Sequence, residues 1–105
     1  MAMLEIKSRD YWFKIVEFLQ QNWALIDVNE DSSVTVFFIG DRSGVFDQMF
    51  FQSIDAAQKG LRLNGFAPFS EDKEAQKFIA VPEAPFRESH HPNGPIYSSG
   101  RFWKS

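Results

Sequence analysis

Apolar side chains recur along this chain with two different spacings. Trp12, Val16, Leu19 and Trp23 fall at i, i+4, i+7 and i+11, and Tyr11, Ile15 and Phe18 widen the stripe, while Lys14, Glu17, Gln20 and Gln21 take the other side. The spacing predicts an amphipathic helix over 9–22. Ser8 stands at the N-cap position, with Asp10 placed to favour the helix dipole. Further on the period changes. Ala24 to Val28 is a short apolar run read as a first strand, and Asn29-Glu30-Asp31-Ser32 supplies turn chemistry. Val34 to Ile39, branched and aromatic with no breaker until Gly40, is a second strand. Asp41-Arg42-Ser43-Gly44 reads as a turn, and Val45 to Phe51 as a third strand. Three sequential strands on short turns predict an antiparallel meander.

Alternation assigns the faces. Val34, Val36 and Phe38 oppose Thr35, Phe37 and Ile39, so both sides are apolar and the second strand is expected to be central and covered on both faces. In the third strand Val45, Asp47, Met49 and Phe51 oppose Phe46, Gln48 and Phe50, a half-polar pattern expected nearer an edge. Ser53 then caps a second helix that closes at Asn64-Gly65 with a left-handed residue. After Pro68, Ser70 is the expected cap of a short helix reaching Lys77, and Phe78 to Val81 a fourth strand. Four of the five prolines fall in 82–95, so 82–105 is expected to be an irregular arm, its aromatic tip (Tyr97, Phe102, Trp103) in need of a docking surface. The expectation is α+β: one domain spanning 1–105, with an antiparallel sheet of three to five strands and the two main helices on one face.

Twelve phenylalanines among 105 residues supply most of the large apolar volume, enough for one core. The absence of cysteine excludes disulfides, thiolate catalysis and Cys-ligated zinc. The N-terminal apolar run is too short for a leader peptide, and no stretch approaches the ~20 apolar residues of a membrane span. The expected location is the cytoplasm, away from any membrane. Net charge is −3, unevenly spread: residues 27–83 hold ten acids against five bases. An acidic centre repels a phosphate backbone and attracts a basic partner, although the commoner role of such charge is a solvated surface.

Candidate chemistry is sparse. His90-His91 are adjacent and project to opposite sides of an extended segment, with no helical His spacing to complete a metal site, so neither metal nor cofactor is expected. Asp47 and Asp27 lie in or beside apolar strands, where general acid–base carboxylates could be tuned, but lone strand carboxylates more often sit at exposed edges. Ser98-Ser99-Gly100 lacks the strand-to-helix context of a nucleophile elbow, and Gly44 stands alone where a phosphate loop needs several glycines. Arg87, Arg101 and Lys104 interleave with Tyr97, Phe102 and Trp103, a pattern able to hold single strands, yet the bases are few and the body acidic, so no nucleic-acid binding is expected. The chain is not expected to be an enzyme. What remains is an acidic binding surface made of Asp27, Glu30, Asp31, Asp41, Asp47, Glu71, Asp72 and Glu74. Beside aromatic anchors it suits a basic protein.

The segments SVTVFFIGDRSGVFDQMFF, SIDAAQKGLRLNGF and HPNGPIYSSGRFW, in a small acidic chain without cysteine, together resemble the immunity proteins of bacterial contact-dependent growth-inhibition and related polymorphic-toxin systems. The resemblance implies a cytoplasmic protein that binds one cognate toxin domain 1:1, often a nuclease, and covers its active site. It carries over no individual residue. The alternatives from the residues are a regulatory or structural interaction module unrelated to toxins and, further off, a small-molecule enzyme with a polar pocket around Asp47 or His90.

Overall fold

The computed structural model describes residues 3–4, 6–17, 20–40 and 43–88. Within them the class is α+β, built on one seven-stranded mixed sheet. The strands are β1 (Met3–Leu4), β2 (Tyr11–Glu17), β3 (Gln20–Val28), β4 (Val34–Ile39), β5 (Gly44–Phe51), β6 (Ala67–Pro68) and β7 (Phe86–Glu88). Two helices, α1 (Ile54–Leu63) and α2 (Lys73–Phe78), and a 3-10 turn at Phe69–Glu71 complete the set. Neither helix is long and apolar enough to cross a membrane.

The helix expected over 9–22 is a β-hairpin instead. Tyr11 pairs with Leu25 and Phe13 with Trp23, so β2 and β3 are antiparallel neighbours, and the short first strand expected at 24–28 is the second half of a nine-residue one. The physical reason is that both alternating sets are apolar. Trp12 and Phe13, adjacent in sequence, are both buried, and they belong to different cores. Aromatic and β-branched residues fit such a two-sided pleat well. Ser8 accepts from the Asp10 amide at 3.1 Å, a local turn that leads into a strand and caps no helix.

From β2 to β5 the chain is an antiparallel meander, its last three strands the ones expected and β2 an addition, and the strands lie in the order β1-β7-β5-β4-β3-β2-β6. The rest of the chain wraps this meander. After β5, α1 packs on one face and delivers β6 to the far edge beside β2. Residues 69–81 then cover the opposite face, and β7 returns beside β5, where it pairs in parallel. One core gathers Trp12, Ala24, Ile26, Val34, Val36 and Phe38 beneath Ala57, Leu61 and Phe66. The other gathers Phe13, Trp23, Leu25, Ile39, Val45 and Phe86 with Ile6, and Phe69, Ala75, Ile79 and Val81 pack against it. Of the two main helices expected on one face, the one over 9–22 is strand, α1 alone covers its face, and the short α2 lies against the other.

Local signals after β5 were largely sufficient. Ser53 Oγ accepts from the Ala56 amide at 3.1 Å, and Gly65 takes φ +88° just past α1. The cap of α2 is Asp72, which accepts from the Ala75 amide at 2.9 Å, because Ser70 falls inside the 3-10 turn. Phe78 to Val81 adds no strand. Phe78 ends α2, and the following residues cross the sheet face, fastened where the Tyr11 hydroxyl donates to the Pro82 carbonyl at 2.6 Å. Burial raises that phenol above its ordinary range, Arg9 lowering it and Glu83 raising it to lesser degrees. The arm expected to be irregular from residue 82 contributes β7, and its remainder, 89–105, lies outside the described residues.

Candidate functional site

Among the described residues, a candidate binding surface lies at the end of the sheet where β3 turns into β4. Cross-strand register places Asp27 opposite Thr35 and Thr35 opposite Phe50, so these three form one rung on one face. The rungs beyond are covered by the second core. This one ends it, and Phe50 is 72% exposed. Val28, next along β3, is 54% exposed. Together with Lys7, Asn29, Glu30, Asp31 and Ser33 these residues line an open depression of about 690 Å³.

Its rim is a well-fixed turn. The Asn29 amide donates to the Ser33 carbonyl at 2.8 Å, and the Ser32 amide to the Asn29 carbonyl at 3.1 Å with Ser32 at φ 72°. Asn29 bridges outward as well: its amide group donates to Ser33 Oγ at 3.1 Å and accepts from Thr35 Oγ1 at 3.2 Å. Asp31 Oδ1 accepts from both the Ser33 hydroxyl and the Ser33 amide. The hydroxyl first and the amide second hold the Asp31 carboxyl below the usual carboxylate range, so the rim charge persists into acid. Glu30 beside it is exposed.

Asp27 has a different task. Its two oxygens accept from the backbone amides of Ser8 at 3.2 Å and Lys7 at 3.4 Å, which ties the segment before β2 onto the sheet. It forms the rear wall of the depression and brings Lys7 to its edge.

Of the eight acids expected at a binding surface, Asp27, Glu30 and Asp31 are brought together here. The others are not. A bulge between Phe38 and Ile39 pairs Phe38 with Asp47 and Ile39 with Val45, leaving Phe46 as the extra residue. The regular register before the bulge sets Asp47 opposite Phe38, on the α1 face with Met49 and Phe51 and opposite to Asp27, and it accepts from the next amide, Gln48, at 2.8 Å. The bulge carries Val45 to the other face, so the expected grouping of Val45 with Asp47, Met49 and Phe51 holds for the last three and fails for Val45. Asp72 caps α2, Glu74 pairs with Lys77 at 3.4 Å, and Glu71 closes the 3-10 turn. None of the three lines the depression. Asp41 and His90-His91 lie outside the described residues. Among the described residues no group of three potential ligands could hold a metal ion.

Sequence reasoning missed Phe50 and Lys7. Phe50 sits in the half-polar set Gln48/Phe50 of β5, the one signal that its side could face water. Lys7 carries no pattern at all. Comparison with known proteins found no matching family model, curated protein or solved structure.

Proposed function

We propose that this protein is an immunity-type inhibitor: it binds one basic toxin domain 1:1, a nuclease in the first instance, and occludes its active site. The observation that carries the reading is an exposed aromatic anchor, Phe50, in a depression lined by Glu30 and by Asp31, whose carboxylate Ser33 holds in place. Protein interfaces draw most of their binding energy from a few desolvated anchors, and complementary charge speeds encounter. Carboxylates here take the place of the phosphates that a nuclease cleft grips. Asp27 and Lys7 hold the wall in shape.

The test uses the toxin-like domain encoded immediately upstream of this chain's gene, where such a domain is present. Co-expression should yield a 1:1 complex and abolish the domain's nuclease activity, with association slowing as salt rises. A domain that stays active in the presence of excess inhibitor, or that fails to bind, overturns the proposal. A salt-insensitive association rate overturns the phosphate-mimic part.

A further inference from the structure

We propose that the depression at the β3–β4 end takes an arginine side chain of the partner protein, its guanidinium stacked on Phe50 and held by Glu30 and Asp31. This rests on the inhibitory reading and names the recognition chemistry of the same surface.

Phe50, 72% exposed on the Asp27 face, is the aromatic surface of the depression, and Val28, 54% exposed at the end of β3, lines it beside the turn. The charge around the depression selects its occupant. Three acidic residues, Asp27, Glu30 and Asp31, line it against one basic residue, Lys7. Asp27 is engaged by backbone amides, so the outer pair is left to meet a cation. Both Ser33 donors meet Asp31 Oδ1, which leaves Oδ2 as the oxygen outside the turn's own bonds. The occupant must then offer an apolar-compatible face to a phenyl ring and donors to carboxylates at once. A guanidinium does both, being planar, weakly hydrated and multiply donating, whereas an ammonium is a compact and strongly hydrated point charge. A neutral apolar side chain would satisfy Phe50 and leave the carboxylates unmatched. The depression, about 690 Å³, is open to solvent, so an arginine on a partner's surface can reach it.

The experiment titrates the ¹⁵N-labelled full chain at low salt with N-acetyl-arginine amide, N-acetyl-lysine amide and N-acetyl-citrulline amide. Expected are saturable shifts of the Asn29–Ser33 and Phe50 amides with arginine, weaker ones with lysine and none with citrulline. Phe50→Ala and Asp31→Asn should each weaken the arginine response by about threefold, the loss carried by an exposed cation–π contact or ion pair. Citrulline matching arginine overturns the inference, as do non-saturating shifts spread equally to Asp55, Glu71 and Glu74. So does another occupant in the free protein, seen either as Phe50 ring contacts with residues 89–105 or as concentration-dependent shifts from a second copy. A tight toxin complex indifferent to Phe50→Ala and Asp31→Asn removes this inference and leaves the inhibitory reading. Arginine binding without any toxin complex does the reverse.

Discussion

Asp31 and Gly65 show how much a single residue can fix here. The Asp31 carboxyl is held below the usual range by Ser33, so folding favours its ionised form. A group with a depressed folded value stabilises above its unfolded value and loses that stabilisation as pH falls through the folded one. The window therefore opens at about pH 4, near the unfolded value of an aspartate, and extends downward. Urea unfolding at stepped pH should show the wild type's advantage over Asp31→Asn present at neutral pH and shrinking below that point. An advantage that grows in acid would contradict the assignment. Gly65 adopts φ +88°, and a Cβ there would meet Lys14 Cε at 3.4 Å, the yielding end of a flexible side chain. Backbone strain rather than collision then dominates, and Gly65→Ala should cost about 1–2 kcal/mol in urea unfolding. Both residues were legible in the sequence, Gly65 as a helix stop and Asp31 as a turn acid, because each acts within two or three residues of itself.

At the scale of elements, legibility followed the same rule. The cap of α1 is local: Ser53 meets the Ala56 amide. Ser53→Ala should destabilise by about 1 kcal/mol, and Ser53→Asp, which keeps an acceptor, should largely retain stability. Thermal or urea unfolding of the two variants checks this. The 9–22 segment was misread because seven apolar residues there satisfy a helical period as well as a strand's. What decided between them was outside the segment. A strand between two covered faces buries both alternating sets, and only the later arrival of α1 on one side and 69–81 on the other covers both. The bulge at Phe46 is equally non-local, and it moved Val45 off the face that an unbroken alternation shares with Asp47, Met49 and Phe51. Asp72 and Glu74 are expected at the binding surface, yet one caps α2 and the other pairs along it. The candidate site was thus half visible: its acids could be read from the turn, its aromatic anchor could not.

For the molecule as a whole, the same residue type has opposite weights at two places on neighbouring strands. Phe38 is fully buried in β4, packed on Phe46 at 6.5 Å and Phe66 at 5.8 Å between ring centroids. Phe50 on β5 is 72% exposed. Phe38→Ala should therefore cost about 3–5 kcal/mol, the range for emptying a core aromatic site. Phe50→Ala should lie within about 0.5 kcal/mol of wild type, as a surface change does, while altering what the depression can bind. The two cores share β3 and β4, whose adjacent residues Trp23 and Ala24 are buried in different clusters. Neither face can lose its packing while the strands that carry the other stay in place. Trp12 lies in one core and Trp23 in the other, so tryptophan fluorescence reports on both. In urea, that signal and the far-ultraviolet circular dichroism should move in one coincident transition for the wild type and for Phe38→Ala alike. Two separated transitions would mean that the faces fold independently. The exposed Phe50 would then stand on a half-domain, not on a sheet braced from both sides.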